Sequence, residues 1–219
     1  GREEKFGAVE IRERFSFPCY PIKRFAIEYK CGEPETWKVA ADGATIGIKR
    51  TLVFPPVTAR YVRLTILNAE PVNNLLVVED FRVWPPPFSL GKPAEVSSIW
   101  PGRDETDLKP AHITDGDTAT IWAPEITARN GWVIIDLQKE CAVTEALLSD
   151  APYGRTREFD LEAEVDGRWK KIASGTAIGP ELHLTFSSVT ARRFRLNIRN
   201  ATDTPVVNEF QLLGKDSSP

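Results

Sequence analysis

The sequence predicts an all-β chain: tandem antiparallel β-sandwiches, the first of them incomplete. Three observations carry that expectation. A block of residues occurs twice, its second copy displaced by 132 positions, as Trp169 is from Trp37. Short runs alternate apolar with polar residues, the period of a half-buried strand. Turn dipeptides such as Asp42-Gly43, Asp166-Gly167 and Ser174-Gly175 punctuate those runs, and no stretch holds an amphipathic helical period.

Composition bounds the class. Apolar residues make up 42% and charged residues 27% of 219 positions, the balance of a globular protein. No window approaches the ~20 apolar residues of a membrane-spanning helix. With 28 basic against 31 acidic residues the formal charge is −3, so no basic excess exists to neutralise a phosphate backbone, and nucleic acid is excluded as a partner. The chain opens on Gly1, contains no Met and shows no apolar signal-peptide core, which predicts a fragment of a longer protein.

In chain order, the first strand signal is Arg24 to Tyr29 (RFAIEY), within an apolar run flanked by Cys19 and Cys31. Those two cysteines either pair or stay as buried thiols; with Cys141 they make an odd, sparse set that suits no metal cluster. Next come Trp37-Lys38, Gly43, Ile46-Gly47, Phe54, Val57-Thr58-Ala59-Arg60, Arg63-Leu64 within the strand Tyr61 to Ile66, and Asn68-Ala69. Glu79-Asp80-Phe81 and Val83-Trp84 close this first copy, residues 1–86. Pro85-Pro86-Pro87 cannot donate ladder hydrogen bonds, so residues 87–93 are expected to form a stiff linker.

The second copy is expected over residues 94–214. Trp169-Lys170, Gly175, Ile178-Gly179, Phe186, Val189-Thr190-Ala191-Arg192, Arg195-Leu196 and Asn200-Ala201 restate the first copy in register, and Asn208-Glu209-Phe210 restates its end. A period this long, present twice, indicates duplicated domains and not a solenoid. Ahead of the shared part the second copy carries a segment with no equivalent in the first. It holds Asp115-Gly116-Asp117, Trp122 and the apolar run Trp132 to Leu137. A sandwich without those strands leaves an unpaired edge and half a core, so another chain, a longer parent or a local rearrangement must cover the gap.

The pattern Ile113-Thr114-Asp115-Gly116-Asp117, Trp122, Trp132 to Leu137, Trp169, Val189 to Arg192 and Glu209-Phe210 resembles the F5/8 type C (discoidin, galactose-binding-like) superfamily, which includes family 32 carbohydrate-binding modules. Ser174 to Gly179 after Trp169, with its partner Asp42 to Gly47 followed by Lys49-Arg50 and Phe54-Pro55-Pro56-Val57, is similar to the C-terminal β-sandwich of family 29 α-L-fucosidases. That resemblance implies a retaining glycoside hydrolase, whose (β/α)₈ barrel or upstream segment partners this region, and a secreted or periplasmic location. The catalytic motifs of such enzymes have no matching positions in this chain, so no catalytic residue is assigned.

Two constellations are candidate sites. Asp115, Asp117, Thr120 and Glu209 gather hard oxygen ligands of the kind Ca²⁺ takes, and the resemblance to family 32 modules implies a structural calcium there. The bland alternative is a tight turn whose Asp side chains cap local amides. Trp100, Arg103, His112, Tyr153 and Arg155 lie in segments read as loops and offer the aromatic face and polar groups that a sugar needs. Packing and surface ion pairs are the competing reading of each. Trp37, Trp122, Trp132 and Trp169 read as core or rim packing, and His183, on an alternating strand, as a hydrogen-bonded residue and not a catalyst.

The leading functional expectation is a non-catalytic C-terminal region of a hydrolase resembling an α-L-fucosidase, which supports the barrel and contacts glycan. The alternative is an adhesion or protein-interaction module of the same fold. An active enzyme is the least supported, since Asp104, Glu105 and Asp107 supply carboxylates without an evident pocket.

Overall fold

The structure, a computed structural model, describes residues 2–14, 20–71, 75–101, 108–150 and 152–214. The chain divides into two compact units, Gly1–Pro86 and Pro87–Pro219. Among the described residues both are built of antiparallel strands, with no α-helix, as a galactose-binding-like β-sandwich requires.

Unit 1 contains β1 (Glu4–Glu13), β2 (Ile22–Lys30), β3 (Lys38–Gly43), β4 (Arg50–Ala59), β5 (Tyr61–Ala69) and β6 (Val78–Trp84). They form two three-stranded sheets, ordered β4-β1-β6 and β3-β2-β5. The alternation within RFAIEY turns Phe25 and Ile27 inward, where both are fully buried. Phe6 of β1 meets Tyr29 of β2 edge to face with centroids 6.4 Å apart, joining the other sheet to the same core.

Unit 2 contains β7 (Ala94–Val96), a 3₁₀ turn (Pro110–Thr114), β8 (Gly131–Ser149), β9 (Thr156–Val165), β10 (Arg168–Gly175), β11 (Leu182–Ala201) and β12 (Glu209–Gly214). One six-stranded sheet runs β10-β9-β11-β8-β12, with β7 added to β8. The inward side chains of β8 fill the core of this unit, where Val133, Ile135, Val143 and Leu148 are all essentially inaccessible. Residues 87–93, expected as a linker, belong to this unit. They turn through residues 88–91, and Ser89 Oγ, fully buried, donates to Gln211 Oε1 (2.7 Å) while accepting from the Leu212 amide (2.8 Å).

The repeat has a physical content that explains its register. Gly43 and Gly175, read from sequence as turn glycines, lie within strands opposite buried rings: a Cβ at either would come 2.8 Å from Phe25 or 2.6 Å from Phe159. The turns are made instead at Gly47 and Gly179, with φ of +74° and +72°, a conformation L side chains rarely adopt. The residue before each of those glycines, Ile46 or Ile178, is buried in its own core. Only Asp166-Gly167, with positive φ at both positions, forms the hairpin turn its sequence announces.

Of the tryptophans, Trp122 alone is fully buried. Trp37 and Trp169 do not fill the space between sheets. Each lies half-buried under an arginine, Arg63 at 4.1 Å and Arg195 at 4.6 Å, and those arginines donate to Glu28 (2.8 Å) and Glu162 (2.5 Å). A planar guanidinium over an indole face gains cation–π energy while shielding the ring.

The two copies part company at one strand. In unit 2, β11 runs unbroken because β8 pairs along both its halves, and Arg192 grips Asp136 of β8 with two bonds of 2.6 Å. In unit 1 the equivalent run breaks at Arg60 into β4 and β5, since β1 corresponds only to the second half of β8.

Candidate functional site

Both candidate constellations belong to unit 2. The 3₁₀ turn is pinned by Ile113, fully buried, and by Thr114 Oγ1, which donates to the Lys92 carbonyl (2.9 Å). The chain then reverses at Asp115-Gly116-Asp117, with Gly116 at φ +83°. Asp115 Oδ1 accepts from the Asp117 amide (2.8 Å), and Asp115 Oδ2 accepts from Thr120 Oγ1 (3.0 Å). Asn208 fastens the same turn by donating from Nδ2 to the Thr118 carbonyl (2.9 Å).

Glu209, the first residue of β12, is buried beside this turn. Gln211 Nε2 donates to its Oε2 (2.6 Å), while its Oε1 is buried without a well-formed hydrogen bond. Burial, and then the neighbouring Asp115 carboxyl, push its carboxyl up to about 9. The fold therefore brings Asp115, Thr120 and Glu209 together. Asp117 differs: its carboxylate caps the Ala119 amide (2.9 Å), and it offers the cluster its backbone carbonyl, 2.9 Å from Thr120 Oγ1. Among the described residues no three His, Cys, Asp or Glu side chains converge, so a Ca²⁺ here would draw on hydroxyl and carbonyl oxygens besides the two carboxylates. The crowding of the Asp115 and Glu209 carboxyl groups, with the Thr120 hydroxyl and the Asp117 carbonyl beside them, fits a cation.

The aromatic cluster is gathered in part. A pocket of about 160 Å³ is lined by Trp100, Tyr153 and Arg155, with Leu108, Ala123 and Val206 among the apolar residues of its wall. Trp100 is placed by its amide, which donates to the Ala123 carbonyl (3.1 Å). The loop carrying Tyr153 turns at Gly154, φ +54°, whose amide donates to the carbonyl of buried Asp150 (3.0 Å). Tyr153 is 51% exposed, and the Arg155 guanidinium stacks 4.5 Å from its ring. Arg155 Nη1 donates to the Thr204 carbonyl (2.9 Å) and Nη2 lies 3.6 Å from Asp203. Arg129 neutralises the far side of Asp203 at 3.2 Å.

His112 stands outside this pocket lining. Its Nδ1 lies 3.3 Å from the Ile121 carbonyl, which makes it a structural residue of the 3₁₀ turn. Arg103 lies outside the described residues, as do Asp104, Glu105, Asp107 and Cys19. Asp203 and Thr204, which orient Arg155, were absent from the residues the sequence nominates. They stand 48 and 49 positions from it, and no local pattern signals the contact. His183 is hydrogen-bonded, with Nε2 2.6 Å from Glu145 Oε2.

Comparison with known proteins places the unit. The F5/8 type C domain model matches residues 93–210, more than half of the chain. No curated protein matches in sequence. Among solved structures, chitosan-binding module 2 from a chitosanase/glucanase of Paenibacillus sp. IK-5, solved with chitotriose, is similar at TM-score 0.52 and 21% identity over 58% of this chain and 99% of that one. A GH29 fucosidase of Ruminococcus gnavus, solved with fucose, is similar at 0.52 and 23%, over 58% of this chain. SpGH29 is similar at 0.51 and 25%, over 59% of this chain. The matched region spans only 26% and 28% of those last two chains. The antiparallel β-sandwich fold and the family match over residues 93–210 agree, and the chain belongs to the F5/8 type C domain family.

Proposed function

We propose that unit 2 is a carbohydrate-binding module and that the pocket between Trp100, Tyr153 and Arg155 is where it takes its sugar. One observation carries the reading: a half-exposed tyrosine ring and a guanidinium held in fixed geometry open onto a largely apolar concavity. A pyranose has an apolar face that stacks on aromatic carbon and equatorial or axial hydroxyls that accept from N–H donors. Arg155 is already oriented by Thr204 and Asp203, so little side-chain entropy is lost when a hydroxyl binds it. Its positive charge favours a neutral sugar over the cationic glucosamine units of chitosan.

The likeness to GH29 fucosidase chains and to chitosan-binding modules supports the same reading. In it the chain is a non-catalytic region of a secreted or periplasmic hydrolase resembling an α-L-fucosidase, and it steadies a catalytic barrel while holding glycan near it. A Ca²⁺ at Asp115, Thr120 and Glu209 would tie β12 to the 3₁₀ turn, a structural role at a distance from the sugar.

Titrating the chain calorimetrically with fucosylated, galactosylated and chitosan oligosaccharides tests this. Binding of a neutral glycan that disappears in Tyr153→Ala supports the module. Absence of binding to every sugar leaves the unit a structural support, and tighter binding of chitosan than of neutral glycans removes the role given to Arg155.

A further inference from the structure

A buried carboxylate stands at the same place in both units. Ile11 pairs with Phe81 as Leu148 pairs with Phe210, so Glu13, which closes β1, corresponds to Asp150, which follows directly on β8. Ile22 pairs with Ala69 as Thr156 pairs with Ala201, so the first residues of β2 and β9 correspond as well. The contacts repeat with the register. Glu13 and Asp150 donate their amides to the carbonyls of the turn glycines Gly47 (3.2 Å) and Gly179 (2.9 Å). Their carboxylates accept from the amides of Ile22 (2.7 Å) and Thr156 (3.2 Å). Each residue thereby ties the end of one strand to the start of the next and to the glycine turn. Both are almost wholly buried, at 2% and 1% exposure, and a carboxylate so placed needs its hydrogen bonds.

The two clamps differ in reach. Glu13 also accepts from the Gly47 amide (3.4 Å) through its second oxygen. Asp150 is one methylene shorter. Its Oδ1 is buried without a hydrogen-bond partner among the described residues, as is the Thr156 hydroxyl, so the side chain holds through the Thr156 amide.

What the clamp of unit 2 closes is the loop that carries Tyr153 and Arg155. Within it the Gly154 amide donates to the Asp150 carbonyl (3.0 Å), Arg157 Nη1 donates to the Gly154 carbonyl (2.7 Å), and the Thr202 amide donates to the Arg155 carbonyl (2.9 Å). Asp150 bonds the loop at its tip through its carbonyl and at its far end through its carboxylate. The stack of Arg155 on Tyr153 rests on a backbone whose span that carboxylate fixes.

We propose that Asp150 is a positioning residue of the glycan site, holding Tyr153 and Arg155 at their working separation without touching the sugar. The inference rests on the glycan reading of the pocket. Asp150 is outside the pocket lining and nearly inaccessible, so its effect on binding passes through the loop. A loop ordered in advance spares the cost of ordering it when the sugar arrives.

Variants at this position test it, read by residue-resolved amide exchange and by calorimetric titration with fucosylated and galactosylated oligosaccharides. Asp150→Ala is expected to speed exchange at Thr156 and to weaken glycan binding, each by about tenfold or more, while β11 amides keep their protection and report a folded unit. If Asp150→Ala does not fold, Asp150→Ser, too short to reach the Thr156 amide but open to water, takes its place. Asp150→Glu, the side chain unit 1 uses here, should largely restore both quantities. Asp150→Asn, which keeps an acceptor in the same volume, makes the same comparison if the glutamate is too large. Gly175→Ala overpacks the core of unit 2 against Phe159 and should lower stability with affinity unchanged, so lost stability alone does not mimic the effect. Unchanged affinity in Asp150→Ala overturns the proposal. So does weakened binding with unchanged exchange at Thr156, or a loss that neither Glu nor Asn recovers. Absence of sugar binding by the unaltered chain defeats the glycan reading and with it the role given to Asp150, whereas these failures in a chain that binds sugar defeat that role alone.

Discussion

Gly175→Ala is the most direct probe of the device that repeats in both units. The added Cβ would come 2.6 Å from Cε1 and 2.7 Å from Cζ of Phe159, a ring with no accessible surface and therefore little room to turn. Overpacking of this kind costs about 1–3 kcal/mol. Against it, alanine narrows the unfolded ensemble, a gain of about 0.4–1 kcal/mol. The net is a loss of about 1–2 kcal/mol, equivalent to roughly a 5–30-fold change in the folded to unfolded ratio. Exchange of β9 and β11 amides that open only with the whole unit reads that ratio for unit 2 without interference from unit 1. Gly43→Ala, 2.8 Å from Phe25, should cost unit 1 somewhat less, because its core is less enclosed. Gly32, with nothing within 4 Å of its Cβ position, is the control, and Gly32→Ala should be neutral or slightly stabilising. Pairing Gly175→Ala with Phe159→Leu should cost less than the two changes summed. If Gly175→Ala stays within about 0.5 kcal/mol of the parent, or Gly32→Ala costs as much, the steric account of the repeated glycine is wrong.

Three further outcomes follow from the sites. The hydrogen bonds from Arg192 hold the Asp136 carboxyl below the usual carboxylate range, so the pair contributes stability above the unfolded value of about 3.9 and loses it as pH falls through the folded one. Arg192→Ala should therefore lower the melting temperature modestly and evenly from pH 5 to 8, and the deficit should close in stronger acid; a deficit that persists there refutes the assignment. Ca²⁺ at a hundredfold excess over its Kd should stabilise unit 2 by about 2.7 kcal/mol, seen as a rise in melting temperature that EDTA reverses and Glu209→Gln abolishes. A melting temperature indifferent to Ca²⁺ ends the metal reading. Arg155→Lys should weaken glycan binding roughly tenfold, because a lysine cannot both stack on Tyr153 and hold the Thr204 carbonyl; retained affinity in calorimetry would place the sugar elsewhere.

Much of the fold could be read directly. The spacing of Trp37 and Trp169, Arg63 and Arg195, and Val57-Thr58-Ala59-Arg60 with its counterpart announces a duplication because each copy reuses the same stack and the same strand register. Strand positions followed from alternation, as at Phe25 and Ile27. The roles of individual glycines did not. Asp42-Gly43 and Ser174-Gly175 look like turns, yet Gly43 and Gly175 are small because a phenylalanine from the neighbouring strand needs the space. Such a reason is visible only across a ladder. For Trp37 and Trp169 the sequence leaves core and rim packing open, since hydropathy does not register a guanidinium lying over an indole.

The sites show the same division. Asp115 and Thr120 could be grouped from sequence, and Trp100, Tyr153 and Arg155 could be nominated as loop residues, because turn chemistry and aromatic content are local; Glu209, 94 positions beyond Asp115, is joined to them by no local pattern. What the tertiary structure alone decided was which of them meet: Asp117 turns to its own backbone, His112 settles on the Ile121 carbonyl, and Arg155 is aimed by Asp203 and Thr204 from a distant loop. The sequence by itself determined that this chain holds two related sandwiches, because the repeat and the alternation are both local patterns. Only the structure decided which strands pair and in what register, because neighbours in a sheet are set by long-range pairing.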